Sequence, residues 1–412
     1  MSDVVVRGIG ELCTCDPERG APPGVIERGA LVSRNGILTF VGRERDLDAA
    51  RVPPGAVELD VDGLAVVPGF VDSHTHLVWL GDRRDEYLQR STGRTYAEIA
   101  AVGGGIAATV RASAAGSVEE LSAAAARRAQ ALFASGVTTV EVKSGYGLEE
   151  DAEMRQLDAA LSLAGRDCLP DVVTTYLPLH ATPQGDREAF IDRVCDSGVA
   201  GASQRATFID AYCDRGAFTV DECEQVLAAG QVHGLRAKIH AEQHARTGGA
   251  ELAARCGAVS ADHLDYASDG DLRALAGAGV VGTLLPGASL VLGGPPPPGR
   301  RLLEAGCRVA VATDCNPGTC YSESMPLMVA LAVASAGLPA THALVAATAW
   351  GAAALALTDR GMLREGLRCD AVVLRSTRWI DLAYHLGGDV VGDVIKAGRL
   401  ARSRDGVTLP LT

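Results

Sequence analysis

Between residues 65 and 318, short runs rich in Val, Ile, Leu and Thr alternate with Ala-rich segments whose apolar positions recur at helical spacing. Eight runs of the first kind can be counted, at residues 65–76, 138–145, 171–181, 206–214, 235–243, 258–265, 280–288 and 308–318. The segments between them, such as 118–132 and 220–230, show helical periodicity and a terminal glycine. Eight successive β/α units predict an α/β fold of the (β/α)8, or TIM, barrel type.

The two ends break this pattern. Residues 2–62 hold strand-like pieces around an Asn35-Gly36 hairpin signal, and residues 366–401 return to strands at Ala371-Val-Val-Leu374 and 390–395. Neither end has enough strands for a stable sheet alone, so they are expected to combine. The predicted organisation is a small β-sandwich domain from residues 1–62 plus 355–412, beside a barrel over 63–354. Pro295–Pro298 reads as a stiff loop, and no solenoid-type repeat is present. The long gap at 77–137, with its Gly103-Gly-Gly105 run, is the kind of βα connection that carries a barrel's site.

Composition narrows the function classes. The chain has 412 residues, 47% of them hydrophobic, which is enough for a sizeable core. A net charge of −13 without any basic run argues against nucleic acid as a partner. No apolar stretch approaches the roughly 18 residues that span a bilayer, and the N-terminus lacks the features of a signal peptide. No membrane association and a cytoplasmic location are therefore expected. The 11 cysteines are odd in number and scattered, which argues against a disulfide framework. Cys13, Cys15, Cys315 and Cys320 are read as core residues, since nothing completes a four-ligand zinc set.

Polar residues gather at the C-terminal ends of the eight runs, where barrel enzymes place their chemistry. The first ends in His74-Thr-His76, and alternate strand residues share a face, so the two rings can reach one ion. The second leads into Lys143-Ser-Gly-Tyr146 and the third ends in His180. The fifth ends in His240, followed by Glu242, Gln243 and His244. The sixth ends in Asp262-His263 and the eighth in Asp314-Cys-Asn316. Any one of these could be a hydrogen-bonded structural residue. Taken together, His74, His76, His240 and Asp314 form a ligand set for one divalent ion, zinc or iron as Fe2+ or Fe3+. The fourth run, ending at Asp214, has no lysine to bridge a second metal, and Cys213 is read as a partly buried thiol. His233, His342 and His385 are read as structural.

These residues resemble the amidohydrolase superfamily. The resemblance rests on Pro68-Gly-Phe-Val-Asp-Ser-His-Thr-His76, His240, Ala261-Asp-His263 and Ala312-Thr-Asp314. A narrower likeness is to its members that open the ring of 4-imidazolone-5-propanoate in histidine degradation. It rests on Gly81-Asp-Arg83, Gly103-Gly-Gly-Ile106, 142–148, Lys238-Ile-His-Ala-Glu-Gln243, 260–264, 284–287 and 312–319. The resemblance implies a metal-dependent hydrolase giving N-formimino-L-glutamate, with metal ligands His74, His76, His240 and Asp314. It implies substrate contacts at Arg83, Tyr146, His180, Gln243, Asn316, Gly318 and Thr319, with Asp314 and His263 as catalytic groups.

Arg83 offers a planar fork of donors to a propionate, against the alternative of an ion pair with Asp82, Asp85 or Glu86. Tyr146, between two glycines, is expected in an exposed setting, and the 143–146 loop is expected to favour an acidic substrate. Some relatives carry glutamate where this chain has Gln243, and an amide cannot serve as a base. Glu242 is the adjacent carboxylate, but alternation turns it to the other face. The stretch 176–180 also departs from the family's glycine-containing form. A small-molecule substrate is the expected partner, with a homodimer as the candidate assembly. A purine or pyrimidine deaminase and a non-catalytic barrel scaffold are the alternatives.

Overall fold

A computed structural model describes residues 3–402. The chain opens with five strands, β1 (Val4–Cys13), β2 (Val25–Arg34), β3 (Ile37–Arg43), β4 (Val57–Asp60) and β5 (Val66–Pro68). Asn35 and Gly36 take positive φ and turn β2 into β3, as the hairpin signal predicts. The long β1 pairs with β4 along its first half and with β5 at Leu12, so the sheet forks there.

Eight parallel strands follow: β6 (Phe70–Asp72), β7 (Val137–Lys143), β8 (Asp171–Leu179), β9 (Phe208–Cys213), β10 (Arg236–Ala241), β11 (Ser260–His263), β12 (Val281–Leu284) and β13 (Val309–Val311). They neighbour one another in sequence order, and helices between them pack outside, giving the (β/α)8 barrel. The last three strands, β14 (Ala371–Leu374), β15 (Val391–Lys396) and β16 (Arg399–Arg402), return to the first sheet, where β14 pairs with β5. Both termini thus build one sheet of eight strands separate from the barrel.

Two sequence expectations are refined. The first apolar run, 65–76, is two strands in two different sheets, divided at Gly69, whose missing side chain leaves room for Thr138. Gly230 does not end its helix, which continues to Val232. A Cβ at Gly230 would lie 2.6 Å from Ile209, so the glycine serves close packing of that helix on β9. Capping boxes at Ser117/Glu120 and Thr219/Glu222 start the two helices that the periodicity predicts.

The seam between β6 and β13 closes the barrel and builds the mouth. Asp72 accepts from the Thr313 backbone N at 3.0 Å and from its hydroxyl at 2.6 Å. Beyond the strands, Asp314 N donates to His74 O and His76 N donates to Cys315 O, each at 3.0 Å. All 11 cysteines are free thiols. Among the described residues no helix is long and apolar enough to cross a membrane.

Candidate active site

Closing the seam brings the first and last strands' polar ends together. Asp314 Oδ1 lies 3.6 Å from Nε2 of both His74 and His76, and His240 Nε2 lies 3.4 Å from His76 Nε2. The three imidazoles offer ligand atoms within 4.8 Å of one another. His74 Nε2 is buried with no hydrogen-bond partner. Burial and then Lys143 hold the His74 ring well below the ordinary histidine pKa, and burial and then His180 do the same to His76. Neutral rings with an unspent lone pair are the form that binds a cation. Burial pushes the Asp314 carboxyl well above its usual range, only partly offset by Asn316 and Lys143. These residues fit a divalent metal ion. A second triple, His74, Glu141 and Asp262, is equally compact, but its carboxylates are already engaged by lysines.

Carboxylates hold the far sides of two of the rings. Asp262 Oδ2 is 2.6 Å from His74 Nδ1, and Asp210 Oδ2 is 3.0 Å from His240 Nδ1, although off the line of a straight hydrogen bond. Such partners orient a metal-binding ring and fix its tautomer. Burial works against the Asp210 charge, but His240 and Lys143 outweigh it and its pKa falls. Lys143 is fully buried against Glu141 and Asp210, so it does not face the mouth to favour an acidic substrate, contrary to the sequence expectation. Glu141, Asp210 and Lys238 were not recognised as site residues from sequence. Their signal is charge at alternate positions of strands that should be apolar on both faces.

A small pocket opens above the imidazoles. It is lined by His76, Arg83, Tyr146, His180, Gln243, His263, Asp314, Asn316 and Thr319, together with Ile106, Tyr212, His240 and His244. His180 stacks on His76 at 4.7 Å, and burial lowers its pKa to about 3. A Cβ at Gly145 would lie 2.7 Å from the His180 ring, so the glycine makes that close approach. Tyr146 is buried rather than exposed. The reason is Glu153, which accepts from the backbone N of Gly145, Gly147 and Leu148 and pulls the loop inward. Tyr212, absent from the sequence reading, donates its hydroxyl to Gln243 Oε1 at 2.9 Å.

Arg83 keeps both of its sequence readings. It pairs with Glu86 at 2.7 Å through Nε, yet it is buried and lines the pocket. Glu86 also accepts from Gly105 N at 3.1 Å, tying Arg83 to the glycine run. Gly318 does not itself line the pocket, but a methyl group there would collide with Arg83 Nη1. Asn316 spends its amide inside its own loop, on Asp314 O, Gly318 N and Thr319. Glu242 accepts from Thr247, Gly248 and Ala250 N and lies outside the pocket, as strand alternation predicts. Cys213 is fully buried beside Cys223 and away from the pocket. His233, His342 and His385 line no part of it.

His263 and Asp314 are non-glycine residues at positive φ, 75° and 51°. Backbone strain of this kind, of order 1–3 kcal/mol each, persists where the surroundings over-determine it, typically at functional sites. Burial and then His240 keep the His263 ring neutral, well below the ordinary histidine range.

A His/Asp cluster at the C-terminal mouth of a (β/α)8 barrel is a site of the kind that binds a divalent metal, and the amidohydrolase family model matches residues 65–400. The chain belongs to that family. Curated relatives called imidazolonepropionase are 45% identical in Deinococcus deserti and 43% in Deinococcus radiodurans, each alignment covering 97% of this chain and 99% of that protein. A further one, from Salinispora arenicola, is 41% identical, over 97% of this chain and 98% of that protein. Among solved structures, N-isopropylammelide isopropylaminohydrolase from Burkholderia multivorans superposes with a TM-score of 0.70 at 18% identity, covering 99% of this chain and 100% of that one. A zinc-bound adenosine deaminase from Xanthomonas campestris gives 0.70 at 19%, covering 99% and 95%. At such identities the structural likeness speaks to the fold alone.

Proposed function

We infer that this protein opens the ring of 4-imidazolone-5-propanoate with water to give N-formimino-L-glutamate. One observation carries the chemistry: Asp314 Oδ1 stands 3.6 Å from the Nε2 atoms of both His74 and His76 in a pocket that Arg83 also lines. Near-full-length identity to curated imidazolonepropionases supports the substrate.

His74, His76, His240 and Asp314 would hold the cation, and their N/O donor set suits zinc or iron. When bound, such a cation supplies Lewis acidity, lowering the pKa of water from about 16 towards 7 and polarising a carbonyl. Arg83, which meets Glu86 through both Nε and Nη2, binds the propionate carboxylate. Tyr146, His180 and Gln243 orient the ring, with Asn316, Gly318 and Thr319 shaping the wall beside Arg83.

Asp314 accepts a proton from the attacking water as the new C–O bond forms at the ring carbonyl. It then returns that proton to the ring nitrogen as the C–N bond breaks. His263 holds the carbonyl oxygen as charge develops there. Gln243 is oriented by Tyr212 and takes no proton, which leaves Asp314 as the acid–base group and His263 as the donor to the oxyanion. The test is incubation of metal-loaded protein with 4-imidazolone-5-propanoate. Loss of the ring's ultraviolet absorption with one formiminoglutamate per ring supports the reading. Folded, loaded protein that consumes none, or that releases ammonia from purines or pyrimidines instead, contradicts it.

A further inference from the structure

Beneath the imidazoles the barrel is filled by charge. Glu141, Lys143, Asp210, Lys238 and Asp262 are fully buried, where a barrel of this type ordinarily packs branched apolar side chains. Burying ions costs several kcal/mol each before pairing, so such a layer is weak evidence for stability and calls for another reason.

The geometry of Lys143 supplies one. Its Nζ is 2.8 Å from Asp210 Oδ2 and 3.7 Å from Asp262 Oδ2. Those same two oxygens meet the rings, Asp210 Oδ2 at His240 Nδ1 and Asp262 Oδ2 at His74 Nδ1. A single ammonium group, bonded to Asp210 and to Glu141 at 2.9 Å, therefore also stands within ionic range of Asp262, behind two imidazoles that come from β10 and from just beyond β6. Lys238, the other buried ammonium, is engaged by Glu141 and by the carbonyl of Ser73.

We propose that Lys143 is a positioning residue for the metal centre, linking Asp210 and Asp262 so that His74 and His240 present Nε2 to one cation. This rests on reading His74, His76, His240 and Asp314 as the cation's ligands. Two carboxylates brought together in a low-dielectric interior repel each other, and an ammonium between them removes that repulsion. Each carboxylate then keeps the ring proton on Nδ1, leaving Nε2 as the donor to the metal. Without Lys143 the two carboxylates separate, and the rings they hold turn with them.

The test measures zinc affinity by chelator competition on metal-free protein, together with histidine ring 15N spectra. Lys143→Met is expected to weaken zinc binding at least about tenfold, the range for loss of an outer partner, and to shift the ring signals of both His74 and His240. Asp210→Asn is expected to move His240 and leave His74. Leu227→Ala, a buried truncation on the helix 220–232, is the control for lost stability and should keep zinc affinity within about twofold of the parent, a loose bound on additivity.

Unchanged zinc affinity in Lys143→Met, movement of only one ring, or an equal loss in Leu227→Ala overturns the proposal. If Lys143→Met does not fold, Lys143→Gln is read in its place. Failure of both to fold assigns Lys143 to the fold and overturns it as well. A parent protein that binds no zinc removes the ligand reading itself, whereas a parent that binds zinc as its Lys143 variants do removes only the role of Lys143.

Discussion

Asp314 meets His74 twice: its backbone N–H donates to the His74 carbonyl at 3.0 Å, and its Oδ1 lies 3.6 Å from His74 Nε2. The first contact closes the barrel and the second forms the candidate metal centre, so the two share one piece of backbone. A ligand that binds only the folded state stabilises it by mass action, by about 4 kcal/mol at a thousandfold excess over Kd. Zinc added to metal-free protein is expected to raise the thermal midpoint by several degrees. A calorimetric scan checks this, and an unchanged midpoint at saturating zinc would argue against a cation at the seam.

Asp314→Asn keeps the backbone bond and the side-chain volume while removing the proton acceptor. Turnover is expected to fall at least 100-fold, within the ~10²–10⁴ range for general acid–base groups, with an unchanged circular dichroism spectrum. Substantial residual activity would contradict the assignment.

Arg83 and Gly318 should behave as one unit. Arg83→Met removes a charge-assisted contact worth about 1.5–3 kcal/mol, so kcat/KM is expected to drop roughly 10- to 100-fold, mostly through KM. Gly318→Ala places a methyl group against Arg83 Nη1 and should raise KM in the same sense. Steady-state kinetics on both variants and on the double variant checks the coupling. Fully additive effects would separate the two residues.

Much of the candidate site was legible in the sequence, because the side chains it brings together sit at the ends of apolar runs, where one residue of every two must face the barrel axis. His74, His76, His240 and Asp314 are found that way. The split of residues 65–76 between two sheets was not legible, since one apolar run reads the same whether one sheet or two bury it. The inward turn of Tyr146 depends on Glu153 seven residues later, a helix residue whose carboxylate points back at the loop. The ionic layer was within reach, but Lys143 read as the start of a loop rather than the end of β7. Tyr212 was passed over because a tyrosine in a strand is ordinarily core.

Asp265 gives a prediction for stability against pH. Burial raises its pKa to about 7, with Ser289 pulling the other way. Its Oδ2 accepts from Ser289, and its Oδ1 has no partner. Between the ordinary value of 3.8 and about 7 the folded chain holds a proton that the unfolded chain has lost. This group's stabilisation is therefore full below the lower value and is lost as pH rises through the upper one, at up to about 1.4 kcal/mol per pH unit. Asp265→Asn should be less sensitive than the parent to a change from pH 5 to pH 8, and more stable than it at pH 8. Urea unfolding of both proteins at the two pH values measures this. Equal pH dependence would remove Asp265 as the cause.

The central claim is that one cation, held by His74, His76, His240 and Asp314, drives ring opening. Its most direct measurement is turnover of 4-imidazolone-5-propanoate by metal-free protein as zinc is added in known amounts. Activity is expected to start near zero and rise linearly to a plateau at about one equivalent per chain, the occupancy of a single-ion site. Full activity in metal-free protein, or a plateau reached only at two equivalents, would contradict it.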